Sequence, residues 1–148
     1  MKGLTELTKK CSKYISAFEK SPKYNFGDVL KKNWKVKPGC FEAPGVYAIY
    51  EKGKELIYIG SAGKGGHYLK YRLGDLFAYN PRSKDMKFKH TLPYKLLEKI
   101  ERFNNIDKLR NHFVNKCNFK VVETRTVREA RIVESILIEL LNPKYNSE

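Results

Sequence analysis

Gly45-Val46-Tyr47-Ala48-Ile49-Tyr50 and Leu56-Ile57-Tyr58-Ile59-Gly60 are two runs rich in β-branched and aromatic residues, joined by Glu51-Lys52-Gly53-Lys54-Glu55. Such runs on either side of a polar, glycine-bearing stretch read as an antiparallel hairpin. A two-residue turn at Lys52-Gly53 sets Glu51 opposite Lys54, Ile49 opposite Leu56 and Tyr47 opposite Tyr58. Side chains alternate along a strand, so Tyr47, Ile49, Leu56, Tyr58 and Gly60 are expected on one face. Val46, Ala48, Tyr50, Ile57 and Ile59 are expected on the other. Two tyrosines side by side are ordinarily sheet packing. The loop that follows, Gly60-Ser61-Ala62-Gly63-Lys64-Gly65-Gly66, adds a second signal, because its glycines let a phosphate approach the backbone. It is not a Walker A loop, since Gly65 follows Lys64 where Ser or Thr belongs.

Working outward, residues 118–124 read as a third strand, and Thr126-x-x-Glu129 has the form of a capping box that opens a helix running to about residue 141, before Pro143. At ~100° per residue, Arg128, Arg131, Ser135 and Glu139 form a polar stripe on this helix, and Glu134 turns away from it toward Ala130, Ile138 and Leu141. A carboxylate bordering a buried face needs a partner, because an isolated one costs several kcal/mol or takes up a proton. A metal ion, an arginine or escape to the helix edge would each serve. Residues 4–18 place Leu4, Leu7, Cys11, Tyr14, Ile15 and Phe18 at helical spacing, which predicts an opening amphipathic helix packed on the core. Shorter helical patterns cover 26–34, 92–103 and 106–113.

The chain of 148 residues carries 30 Lys and Arg against 16 Asp and Glu, a net charge of +14. Residues 61–120 hold nine of those net charges, and Arg82, Lys84, Lys87 and Lys89 lie between Pro81 and Pro93, a setting that favours a loop. With ten tyrosines and eight phenylalanines, this composition suits contact with a polyanion. Disordered and collagenous classes are excluded, and no apolar run approaches the ~18 residues that span a bilayer. No secretory leader pattern is read at the N-terminus, so a cytoplasmic location is expected. Cys11, Cys40 and Cys117 are odd in number and widely spaced, against both a disulfide framework and a zinc ribbon.

Taken together, Gly45-Val46-Tyr47, Tyr58-Ile59-Gly60, Arg72, and Glu134 on a helix that closes with Pro143-Lys144-Tyr145-Asn146 resemble the GIY-YIG endonuclease family. The resemblance spans residues 45–146. It implies an α+β fold, a small three-stranded antiparallel sheet flanked by helices, here with an N-terminal helical extension (1–44) and a basic helical insertion on a nuclease domain (45–148). It further implies that Tyr47 and Tyr58 face the scissile phosphate, Arg72 neutralises it, Glu134 holds one Mg²⁺ or Mn²⁺ ion, and Asn146 buttresses the site. Gly60, Lys64, Lys70, Arg82, Lys84, Lys87 and Lys89 are the expected contacts to double-stranded DNA. The activity implied is metal-dependent hydrolysis of DNA phosphodiesters by a stand-alone domain, restriction-like or mobile-element-associated, with oligomerisation open. A catalytically inactive or RNA-directed binding module of the same fold is the alternative.

For Tyr47 to act as a general base, a phenol of pKa ~10 must drop by about 3 units, and Lys64, Lys70 and Arg72 are the cations in range by sequence. Three departures from the family pattern stand out. Val46 replaces Ile; the loop from Gly60 to Arg72 is long; and Leu76 stands where many members carry a histidine, so that a proton-shuttle role there is absent or moved to His67 or His90.

Overall fold

The computed structural model describes residues 2–78, 92–93 and 106–146. An amphipathic helix α1 (Lys2–Lys20) leads into β1 (Tyr24–Asn25) and a single turn of helix, α2 (Phe26–Val29). The hairpin follows as β2 (Gly45–Glu51) and β3 (Glu55–Ala62), then a 3₁₀ turn (Lys64–Gly66) and α3 (Leu69–Asp75). Helix α4 (Ile106–Lys116), strand β4 (Cys117–Glu123) and helix α5 (Val127–Leu141) complete the described elements. The expected helix over 26–34 stops after Val29, because Leu30 is extended and bridges to Val36. The expected helix over 92–103 and most of the basic insertion lie outside the described residues.

The sheet is antiparallel with strand order β1-β4-β2-β3, so it has four strands rather than three. The added strand is two residues long, Tyr24 pairing with Phe119 and Asn25 with Asn118, too short to show any alternation in sequence. Strand β2 is buried at every position.

The hairpin register also differs from expectation. Glu51 pairs with Glu55 across a three-residue loop, with Lys52 and Gly53 both at positive φ. A bulge then inserts Ile57, since Tyr50 pairs with Leu56 but Ile49 with Tyr58. Longer loop and bulge together put Tyr47 opposite Gly60 instead of Tyr58, and they exchange the faces of Leu56 and Ile57. A bulge adds one residue to one strand and shifts every pair beyond it. At the same point of the sheet edge residues 144–146 run beside β3, with Lys144 N donating to Leu56 O (3.3 Å) and Tyr145 N to Ile57 O (2.8 Å).

Each sheet face carries its own core. Tyr47, Ile49, Ile57 and Phe119 pack with Phe26, Leu69, Leu73 and Phe113 on the side of α2, α3 and α4. Val46, Ala48, Ile59 and Val122 pack with Ala130, Val133, Leu137 and Phe18 on the side of α5 and α1. Leu141, expected on the buried face of α5, is 45% exposed, because the last turn of the helix runs past the sheet. At the other end, Thr126 caps α5 by accepting from Glu129 N (3.1 Å). The Glu129 carboxylate does not turn back to the cap residue as a capping box would. It accepts from Arg125 N (3.2 Å) and from Tyr14 Oη (2.6 Å), which fastens α1 to α5. No described helix is long and apolar enough to cross a membrane.

Candidate functional site

Tyr47 sits mid-strand in the central β2 and is fully buried. Its ring lies across Gly60: a Cβ built there would come 2.5 Å from Tyr47 Cζ and 2.9 Å from Cε1. Tyr58, one step along β3 on the same face, brings its ring centroid 6.2 Å from that of Tyr47. The two tyrosines are therefore neighbours on the diagonal rather than direct partners, close enough for their aromatic rings to interact.

Arg72 enters from α3, half-buried, and donates a hydrogen bond to Tyr47. Burial disfavours the Arg72 charge, but Tyr47 and Asp75 more than offset it. The buried Asp75, one helical turn on, accepts from Arg72 Nη1 (3.4 Å), and the same carboxylate oxygen lies 2.8 Å from His67 Nε2. Asp75 was not foreseen, although the i,i+3 spacing Arg72-x-x-Asp75 on a helix is a recognisable signal. His67, one of two histidines proposed for proton transfer, thus joins Arg72 through Asp75. Leu76 is buried in the core.

Glu134 approaches the edge strand from the α5 side, partly exposed, and takes a hydrogen bond from Ser61. Burial pushes its carboxyl above the ordinary range, and the Ser61 hydrogen bond with the Arg131 and Arg72 charges pulls it only part of the way back. Glu134 lies within electrostatic reach of Tyr47 as well. Burial above all, then Tyr58, raises the Tyr47 hydroxyl well above an ordinary phenol, while Arg72 opposes the rise. Arg72 is thus the cation that meets Tyr47 from the three in range, and burial outweighs it. Asn146 pairs with the backbone of β3 through both ends of its amide: Oδ1 accepts from Ile59 N and Nδ2 donates to Ile59 O, each at 2.7 Å.

Of the expected DNA contacts, Gly60 is buried under Tyr47, Lys64 is exposed in the 3₁₀ turn, and Lys70 is held by Glu42 at 2.8 Å. Arg82, Lys84, Lys87, Lys89 and His90 lie outside the described residues.

A half-buried carboxylate that burial leaves short of compensation suits a hard divalent cation, and Mg²⁺ in particular takes one or two carboxylates and keeps its waters. A second group of ligand-type side chains lies at the hairpin end of β2, about 13 Å along the strand from Tyr47. There Glu51, His112 and Cys117 bring one ligand atom each within 4.8 Å of the others. His112 Nε2 is 2.7 Å from Glu51 Oε2. Burial, helped by Glu51, pushes the Cys117 thiol up to about 12. A protonated thiol beside a closed His–Glu pair would have to give up its proton and that hydrogen bond before binding an ion.

Fold and site define a small mixed α+β domain whose polar residues gather at the edge hairpin of an otherwise buried sheet. No family model matches the chain. UvrABC system protein C from Xanthomonas campestris pv. campestris is 29% identical over 104 residues, which is 70% of this chain and 12% of that protein. Among solved structures, the GIY-YIG N-terminal endonuclease domain of UvrC from Thermotoga maritima, bound to its catalytic divalent cation magnesium, is 27% identical. The match covers 72% of this chain and 85% of that one, with a TM-score of 0.42. A point mutant of that domain is 25% identical with the same TM-score, over 72% and 86% of the two chains. The triplets Gly45-Val46-Tyr47 and Tyr58-Ile59-Gly60 meet across β2 and β3 at the Tyr47–Gly60 pair, and in sequence the chain is similar to these UvrC proteins.

Proposed function

We propose that the chain is a metal-dependent endonuclease that hydrolyses double-stranded DNA. The observation that carries this reading is the bond between Arg72 and Tyr47 with Glu134 in electrostatic reach of both. A phosphodiester at that corner would meet a fixed guanidinium, the Tyr58 phenol and a carboxylate, with the buried Tyr47 hydroxyl bonded to that guanidinium. Arg72 would neutralise the phosphate, held in place by Asp75. Tyr58 and Tyr47 would orient the phosphate and the attacking water through their hydroxyls. Because burial keeps the Tyr47 hydroxyl protonated in the metal-free protein, taking a proton there requires positive charge beyond that of Arg72. Glu134 is the residue to hold a Mg²⁺ or Mn²⁺ ion, which when bound supplies charge for the developing phosphorane and the leaving oxygen. Asn146 fixes β3, and with it Tyr58.

In this reading residues 45–148 form the nuclease unit and residues 1–44 an extension that adds to DNA binding, together with Lys64, Lys70 and the basic residues Arg82, Lys84, Lys87 and Lys89. A restriction-like or mobile-element setting is the proposed context. The test is incubation of the purified chain with plasmid in Mg²⁺ and in EDTA. Nicking or linearisation in Mg²⁺ alone is expected, and an intact plasmid in both would overturn the reading in favour of a binding module.

A further inference from the structure

A cleft of about 710 Å³ opens between the 31–35 turn and the outer side of α3. That is within the range of ligand pockets. One wall is aromatic and rigidly held. Trp34 occupies the left-handed region at φ +65°, unusual for a bulky residue, in a turn closed by Lys31 N to Lys35 O (2.7 Å) and Trp34 N to Lys31 O (3.1 Å). Its indole lies parallel to the Phe77 ring at 5.6 Å, 8° between planes. The Arg110 guanidinium carbon is 5.2 Å from the Trp34 ring centroid, fixed by Nε (3.1 Å) and Nη2 (2.7 Å) donating to Phe77 O. Strain of this kind persists only where surrounding structure holds it, and it gathers at ligand sites.

The facing wall offers Tyr71, 48% exposed, stacked on His67 at 5.6 Å and with Lys70 Nζ 4.9 Å from its ring centroid. Lys31 and Lys35 are exposed on the rim. The acidic lining residue Asp75 is already engaged by His67 and Arg72, so the open charge of the cleft is positive. Through Asp75 and Arg72 the cleft adjoins Tyr47. Flat aromatic surfaces with cations at the rim suit a nucleobase and its phosphates regardless of sequence. Paired bases inside a duplex cannot enter such a cleft unless they are turned out of the stack.

We propose that this cleft, lined by Trp34, Tyr71, Lys31, Lys35 and Arg110, binds an unpaired nucleotide of a single DNA strand next to the Tyr47–Arg72 corner. The proposal rests on the DNA reading above and adds single-strand capture to it.

Trp34 is the chain's single tryptophan, so its emission reports this cleft alone. The full chain is titrated in EDTA with short oligothymidylate, following Trp34 fluorescence and, with a labelled strand, anisotropy. Quenching that saturates together with anisotropy is expected. Tyr71→Ala should weaken the affinity about tenfold, within the range for loss of one stacking surface, with an unchanged thermal melt. Lys31→Ala with Lys35→Ala should lower the log–log salt slope by about 1.4, two phosphates at roughly 0.7 each on a single strand. Anisotropy without quenching, no binding at all, equal quenching by duplex, or full affinity in a folded Tyr71→Ala protein would each overturn the proposal. Quenching by a protein that never cleaves plasmid sinks the nuclease reading and leaves the cleft. Cleavage without quenching sinks the cleft alone.

Discussion

Tyr47 and Gly60 are direct partners across the β2–β3 hairpin, and the ring of Tyr47 fills the space that any side chain at Gly60 would take. The third residue of the second signature triplet is thus a steric complement to the third residue of the first. Gly60→Ala should therefore force the Tyr47 ring aside, lowering stability by about 1–3 kcal/mol as overpacking does and abolishing cleavage. Pairing it with Tyr47→Phe should not restore stability, because the clash reaches the ring carbons Cζ and Cε1 and not the hydroxyl alone. Thermal melts of the single and double variants check this. A Gly60→Ala protein that melts and cleaves like the parent would show that the ring has room to move.

Tyr47→Phe removes the hydroxyl and keeps the ring, so the fold should hold while turnover falls about 10²-fold or more. Burial raises the pKa of this hydroxyl, so Tyr47 stays neutral as exposed tyrosines titrate. Tyrosinate absorbance of the native parent and of Tyr47→Phe should therefore rise together near pH ~10. The sign for stability follows: above the unfolded value only the unfolded chain ionises at this position, so Tyr47 draws stability down as pH climbs past it. Wild-type turnover in Tyr47→Phe would remove the hydroxyl from the chemistry.

The hairpin, the closing strand and helix, and both tyrosines could be read from alternation, turn residues and capping, all of which act within a few residues. The register could not, because neither the three-residue loop nor the bulge at Ile57 has a signal in the alternation, and the contact of Ile57 with Tyr145 joins positions some ninety residues apart. Pairing the tyrosines directly would have left no role for Gly60 beyond flexibility. Glu134 was legible from its angle on the helix, and Arg72 only through the family resemblance. Asp75 is legible only as the i,i+3 partner of Arg72, and Ser61, near the end of β3, carries no pattern that points to Glu134. Strand β1 escaped for want of length, and the Trp34 turn because a left-handed tryptophan has no sequence signal.

Asn146 holds β3 by exchanging both hydrogen bonds with Ile59, the middle residue of the second triplet. Asn146→Ala leaves that N–H and C=O without their partner, and each such loss in a part-buried place costs about 1–3 kcal/mol when unrelieved. The variant should melt earlier and show faster hydrogen exchange at the Ile59 amide. Asn146→Asp should also be destabilised, because a carboxylate oxygen replaces the donor that faces Ile59 O. An unchanged Ile59 exchange rate in Asn146→Ala would mean that water substitutes fully and that the residue does not buttress the strand.

Glu134 separates a functional carboxylate from a structural one by the sign of its effect on stability. Burial raises its pKa in the folded chain, so the folded state holds the proton more tightly than the unfolded state does. Stability from this group therefore declines as pH rises through the window above the ordinary carboxylate value, and at neutral pH the charge is a burden on the fold. Glu134→Gln relieves it while keeping the shape and an acceptor for Ser61. The variant should melt at or above the parent temperature at pH 7, lose cleavage in Mg²⁺, and bind DNA in EDTA as well as or better than the parent. A residue kept to neutralise Arg131 and Arg72 would behave oppositely, with a lower melting temperature and weaker binding alongside lost activity. Melts, nicking assays and binding at matched protein concentration distinguish the two, and a well-folded Glu134→Gln protein that still cuts plasmid in Mg²⁺ would remove Glu134 from the metal site.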